Sequence, residues 1–462
     1  MGGGLNAALN AGRTSLQTNQ KAIEITGLNI ANVNTDGYSR QTPNLNPYPS
    51  LVFGDFFIGT GVTVGSVERS HDVFLDGQIK DKSSESGLEN SMVNSLAGLE
   101  RVIGIGDGSL SDEFDQFFDA WRQLSTNPGG EVERQMVLQR GELIGNAFSN
   151  VYNETQQAVK NINNTITSKI DGVNLRLDEI ASLNNRISAI EMSGQDANSD
   201  RDRRDMLLKD IAESIGATSF ETSNGTVSVQ LANGMPLVEG TTATHIVGVM
   251  SGTDVNLELD FGTTNIPLDR TALGGEFRGL YEVRDVMIPD VVNRLDQLAY
   301  TFATELNILH QAGTDLNGNP GQDFFVNPAA VAGAASSLEM NITTTNEIAA
   351  GTSAAPGDNT NALSILQLEQ QQLGGLGGND TLVSYYGKIV STVGVEAARN
   401  RQAVQGHEDS LIQLQNLRDG IDGVSLEDEM INLLQYQKGF ESSAKFLSVV
   451  DEMMDTLLTL KR

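Results

Sequence analysis

Near the C-terminal end, apolar side chains recur at steps of three or four without a break: Leu426, Met430, Leu433, Tyr436, Phe440, Ala444, Leu447, Val450, Met454 and Leu457. Such spacing puts them on one side of a helix, as the narrow seam of a coiled coil. Gly423 lies just ahead, and Ser425 with Asp428 offers a side-chain acceptor for orphan N–H groups and a carboxylate at the positive helix end. The opposite end carries a weaker seam at Leu5, Leu9, Leu16, Ile23, Ile30 and Val33, with Gly12, Asn19 and Thr26 in the intervening slots. A helix with so thin a stripe does not stand alone in water. The economical solution packs the two seams on each other, bringing the termini together and making everything between them an insertion. Two unrelated surface helices would satisfy the same spacing.

Between the ends, SESGLENSMVNSLAGLERVIG and SLSDEFDQFFDAWRQLSTNP predict helices, closed by a glycine-rich turn over 104–108 and by Asn127-Pro128. A long helix is predicted from about Glu131 to Met192, with Ile166, Ile170, Val173, Leu177, Ile180, Ile187 and Ile190 repeating along it. The pattern then alternates: Val227, Val229 and Leu231, then Val255, Leu257, Leu259 and Phe261, between Asn-Gly and Ser-Gly turns. Helix returns after 279, with Pro289 acceptable near a helix start. Residues 313–362 read as loops, Gly374 to Gly378 as a break, and 382–417 as helix.

The fold expected is mainly α with a β-rich insert, elongated and multidomain. Paired terminal helices (1–42 and 420–462) form a coiled-coil-like inner domain, long helices (43–216 and 276–419) a middle domain, and 217–275 a small outer β domain. A chain of 462 residues is long enough for about three domains.

The formal net charge of −30 works against phosphate backbones and anionic lipid surfaces, so neither nucleic acid nor membrane is an expected partner. No stretch reaches the roughly 18–20 apolar residues of a membrane span, and the MetGlyGlyGly opening has no signal-peptide pattern. The expectation is a soluble chain that, if exported, travels without a cleaved leader.

Chemistry finds little purchase. With 0 cysteines there are no thiolate nucleophiles and no thiolate metal ligands. His71, His245, His310 and His407 share no ligand spacing, and neither GxSxG nor a Walker sequence is present. Asp315, Asn317 and Asn319 alternate as calcium ligands do, but Gly318 comes too early and no glutamate closes the loop, so a self-bonded turn is the better reading. Arg201, Arg203 and Arg204 alternate with Asp200, Asp202 and Asp205 and read as mutually neutralising on a solvated helix start. No catalytic residue, cofactor site or metal site is nominated.

The segment Leu28-Asn29-Ile30-Ala31-Asn32-Val33-Asn34-Thr35-Asp36-Gly37-Tyr38-Ser39-Arg40-Gln41 resembles the N-terminal signature of bacterial flagellar axial proteins, the rod, hook and hook-associated subunits. In it Asn29 and Asn32 can bond backbone at the end of the first helix, while Gly37 permits a positive-φ turn into the extended Tyr38-Ser39-Arg40-Gln41. The run from Gly423 through Val450-Asp451-Glu452-Met453 is similar to the closing helix of the same family. GlyGluPheArgGlyLeuTyrGluValArgAsp at 275–285, with His310 and Gly313-Thr314-Asp315-Leu316-Asn317-Gly318, narrows the resemblance to its hook-associated branch, at the hook-filament junction. The glycine-rich opening and the single compact β insert depart from that pattern.

The resemblance implies a non-enzymatic structural subunit, secreted through the flagellar type III export channel and assembled by its terminal helices. Other copies of itself, hook protein, the second junction protein and an export chaperone at the C-terminal helix are the implied partners. The terminal segments are expected to gain order only beside neighbouring copies. The alternatives are a hook or distal rod subunit of the same family, or a secreted hydrolase carried on the axis, for which no acid and base pair stands out.

Overall fold

The computed structural model describes all residues except 1, 54, 55, 105, 107, 223, 461 and 462. Of the expectations above, Met1 of the opening and Ile105 and Asp107 of the 104–108 turn lie outside the described residues.

Residues Gly2–Ala31 form helix α1, and the chain leaves it through a turn at Gly37, whose φ of +78° suits glycine. Four strands follow: β1 (Gln41–Pro47), β2 (Leu51–Phe53), β3 (Phe56–Ile58) and β4 (Val62–Arg69). β1 and β4 pair antiparallel from Gln41 opposite Arg69 to Pro47 opposite Val62, and β2 with β3 forms the tip of the ribbon. The ribbon lies along α1, where the Thr14 and Thr18 hydroxyls donate to the Thr60 and Val62 carbonyls at 3.2 and 2.8 Å. The reading of 43–216 as helical from its start needs correction here. Pro43 and Pro47, with fixed φ and no N–H, cannot continue a helix but are tolerated in a two-stranded ribbon.

The body is built on long helices. α2 (Val73–Val102) starts at Asp72, whose carboxylate accepts from the Phe74 and Leu75 N–H groups at 3.0 and 3.1 Å. α3 (Leu110–Thr126) and α4 (Glu131–Met192) follow. The 62 residues of α4 extend about 93 Å at ~1.5 Å per residue. Its repeating Ile166, Ile170, Val173, Leu177, Ile180 and Ile187 are all buried. After α5 (Asn198–Ile215) come β5 (Thr218–Glu221), β6 (Val227–Gln230), β7 (Pro236–Glu239), β8 (Thr242–Ala243), β9 (His245–Ser251), β10 (Asp254–Asp260) and β11 (Asn265–Pro267). They make two small antiparallel sheets, ordered β5-β6-β7-β8 and β11-β10-β9.

Helix α6 (Gly275–Glu282) runs through a π-turn, Val283–Met287, into α7 (Ile288–Gln311). Pro289 sits in the first turn of α7, where its missing N–H is absorbed by the wider π-turn before it. Then come α8 (Thr360–Gln367), α9 (Leu382–Ile421) and α10 (Leu426–Leu460). Asp315 and Asn319 form a self-bonded turn, the Asn319 N–H donating to Asp315 Oδ1 at 2.7 Å.

Asparagines tie helices to extended backbone. Asn174 on α4 donates to the Ile246 carbonyl and accepts from the Ile246 N–H, both at 2.8 Å. Asn184 does the same for Val227 at 2.8 and 3.0 Å, and Asn163 holds Thr253 and Val255. A carboxamide matches a peptide in donor and acceptor, so each such side chain completes a strand edge from a helix.

Aromatic residues are few but concentrated. Phe114, Phe117, Trp121, Phe148, Phe302, Phe324 and Phe325 form one buried cluster of mostly edge-to-face contacts, with centroids 5.1–6.4 Å apart. His310 joins it edge-on to Trp121 and Phe324.

Candidate assembly interface

The two ends of the chain meet: α1 packs along α10. Where they run closest, Gly12 leaves no room for a side chain, because a Cβ there would stand 3.1 Å from Phe446 and 3.2 Å from Leu447. Ser15 and Ser443 share a hydrogen bond of 2.8 Å, and Asn19 lies over Gly439. The polar slots of the N-terminal repeat thus face the partner helix.

The apolar seam positions are only partly covered. Leu5, Leu9, Leu16, Ile23 and Ile30 are half-buried, whereas Ala7, Thr18, Ala22, Ile25, Thr26 and Asn29 are fully buried. The reason is that α1 serves two neighbours, α10 and the ribbon, so its covered surface is wider than one heptad seam. On α10, Val450 is buried and Leu433, Tyr436, Phe440, Ala444, Leu447 and Met454 are half-buried. Leu426, Met430 and Leu457 are exposed.

At the inner end of the pair, Asn29 uses all its hydrogen-bonding capacity. Its Nδ2 donates to the Gln41 carbonyl at 2.8 Å and to Glu429 Oε2 at 3.1 Å. Its Oδ1 accepts from the Gln41 N–H at 3.0 Å and the Tyr38 hydroxyl at 2.8 Å. Arg40 Nε meets the other Glu429 oxygen at 2.8 Å, and the Glu429 side chain is only 2% exposed. One buried carboxylate from α10 is thereby held by the first helix and by the strand that follows it. Burial, with Asp202 and Glu429 nearby, pushes the Tyr38 phenol up to about 12, so it stays a donor. Asn32 closes α1 by donating to the Leu28 carbonyl at 2.9 Å. Gly37 abuts Met206, and its carbonyl accepts from Arg418 at 3.2 Å.

A second polar knot joins this end to the body. Arg69 of β4 binds Asp202 and Asp205 of α5 at 2.9 and 2.7 Å, all three side chains largely buried. Burial alone would raise the Asp205 carboxyl, but Arg69, with His71 and Lys80, holds it below the usual range. The mutual neutralisation expected within 200–205 is not found. Arg201 pairs with Glu191 and Glu221, Arg203 with Glu179, and Asp200 with Arg186, while buried Arg204 donates to Asn184 and to the Gly225 carbonyl. Alternating charges on a helix point to different sides, and the fold supplies each with its own partner.

Parts of α10 stay open. Ile431, Leu434 and Leu458 are exposed, and so are Phe446, Val449 and Met453 along the edge that flanks α1, none of them in the single seam. Among the described residues no cluster of His, Asp and Glu could hold a metal ion, and no helix is long and apolar enough to cross a membrane.

Residues 96–325 match the family model described as flagellar hook-associated protein FlgK helical domain. Residues 9–38 match the flagella basal body rod protein model, and 422–460 the flagellar basal body rod FlgEFG protein C-terminal model. Flagellar hook-associated protein 1 of Bacillus subtilis is 25% identical over 97% of each chain. That of Escherichia coli is 24% identical over 99% of this chain and 100% of its own. The solved flagellar hook junction protein FlgK from Burkholderia pseudomallei superposes with a TM-score of 0.68. At 13% identity, covering 75% of this chain and 100% of that one, it attests the fold. With family models at both ends and in the middle, in the order of the family and along nearly the whole length of its members, the chain belongs to the family of flagellar hook-associated protein 1, structural components of the bacterial flagellum.

Proposed function

We propose that this chain is a non-enzymatic adaptor that is exported through the flagellar type III channel, joins the distal end of the hook and forms the junction with the next hook-associated protein. Its neighbours there are other copies of itself, hook protein and the second junction protein, with an export chaperone on α10 beforehand. One observation carries the reading: α1 and α10 pair, yet Ile431, Leu434, Val449, Met453 and Leu458 on α10 remain more than half exposed. A fully buried side chain of this kind contributes roughly 1.5–3 kcal/mol, so a wall of sister copies is strongly favoured over solvent. Pairing within one chain already holds the inner seam; neighbours supply cover for the remaining apolar side chains.

The test is Phe440→Asp, in the half-buried seam of α10, together with Leu434→Asp, at an exposed position of the same helix. Both are expected to leave the helical body folded by circular dichroism and to abolish incorporation at the hook tip, seen by labelling intact flagella. Normal filament growth with either variant contradicts the proposal.

A further inference from the structure

Two apolar features of the terminal region are left without a partner among the described residues. One is a knob. Val52 and Phe57 stand directly opposite each other across β2 and β3, hence on one face of the ribbon, and are 68% and 78% exposed. Phe57 is the most exposed phenylalanine among the described residues. The neck of the ribbon is pinned to α1 and to itself: Thr60 donates to the Pro49 carbonyl at 2.6 Å, the Tyr48 N–H to the Gly61 carbonyl at 2.9 Å, and Thr14 of α1 to the Thr60 carbonyl. The other is a groove of about 810 Å³ between the start of α1 and the end of α10, walled by Leu5, Ala8, Phe446, Val449, Met453 and Leu457. Among the described residues no ribbon residue lines it.

We infer that the Val52 and Phe57 knob of one copy seats in the α1/α10 groove of a second copy. This deepens the proposed assembly role and rests on it. The groove takes an apolar occupant, and the chain itself carries an apolar protrusion whose neck is hydrogen-bonded to α1, which lowers the ordering entropy that opposes the contact. Donor and acceptor surfaces differ, so the contact is heterologous and every copy can give and receive one. Two side chains bury far less than the roughly 800 Å² per partner of a stable interface. The contact is therefore weak between two free molecules and effective in a ring, where neighbours hold the knob at high effective concentration.

The absence of cysteine makes the test clean. The full-length chain carrying Phe57→Cys and Val449→Cys is assembled at hook tips in cells without another copy and mildly oxidised. The expected result is a ladder of disulfide-linked dimers and larger species, absent from either single variant and from Phe74→Cys paired with Val449→Cys. An assembled double variant that gives no ladder, or an equal ladder from the Phe74 pair, overturns the inference while leaving the assembly role intact. Failure of the unmodified chain to reach the hook tip sinks that role instead. A second measurement covers variants that do not assemble. Phe57→Lys and Val449→Glu are each expected to lower incorporation about tenfold or more by burying a lone charge, and their combination to restore most of it. A combination no better than either single change also overturns the inference.

Discussion

Asn29 and Glu429, 400 positions apart in sequence, share a hydrogen bond of 3.1 Å in the buried end of the α1/α10 pair. The bond links the last turn of the first helix to the first turn of the last one. Arg40 completes the knot, so removing the carboxylate leaves an amide and a guanidinium without their acceptor.

Glu429→Ala is therefore expected to loosen the terminal pair by about 2–3 kcal/mol. Hydrogen exchange over residues 20–31 and 426–440 should accelerate roughly 30- to 100-fold, with α4 unaffected. Unchanged exchange at both ends would show that apolar packing alone holds them.

Gly37 has φ +78°, and a Cβ there would lie 2.5 Å from Met206 Cγ and Sδ. Gly37→Ala should cost about 2–3 kcal/mol, part from backbone conformation and part from the clash. Adding Met206→Ala should return the clash portion alone, which thermal denaturation of the two variants can resolve.

Asn174→Asp keeps the shape of the side chain but turns an acceptor toward the Ile246 carbonyl where a donor stood. A loss of about 2 kcal/mol is expected at pH 7, with faster exchange in β9. Protonation restores the donor, so the gap from the unmodified chain should narrow as pH falls through the carboxyl range. A gap that widens in acid would mean that the amide is not the tie.

His310 donates from Nδ1 to the Gln322 carbonyl at 2.6 Å and accepts the Ala349 N–H on Nε2 at 3.0 Å. Burial holds its pKa below the ordinary 6.5, so the unfolded chain takes the proton first. The stability contributed by the neutral ring is present above pH 6.5 and is lost as pH falls toward the lower folded-state value. His310→Leu should flatten the stability profile below pH 6.5, measured by urea unfolding; an equally steep profile would assign the loss to other groups.

The terminal helices were legible because a heptad records local contacts: Leu433, Phe440 and Leu447 repeat whatever lies between the ends. The small slots were legible too, since Gly12 and Asn19 interrupt the stripe where α10 comes closest. Leu434, Val449 and Met453 escaped, because a single repeat describes one face and α10 carries apolar residues beyond it. Glu429 could not be told from its exposed neighbours Glu427 and Asp428, as its partners come from the far end of the chain. Along α4 the isoleucines announced a helix, while Asn163, Asn174 and Asn184 looked like ordinary polar fillers. Their purpose exists only once strands lie alongside. Arg69, Asp202 and Asp205 form their knot for a similar reason: charge alternation in sequence says nothing about which element will arrive opposite.

The bonds that Asn163, Asn174 and Asn184 make to strand backbone join uncharged amides to peptides in a molecule that carries thirty surplus negative charges. Dissolved ions will therefore modulate how strongly sister molecules repel one another, while the stitching of sheet to helix inside each of them is indifferent to salinity.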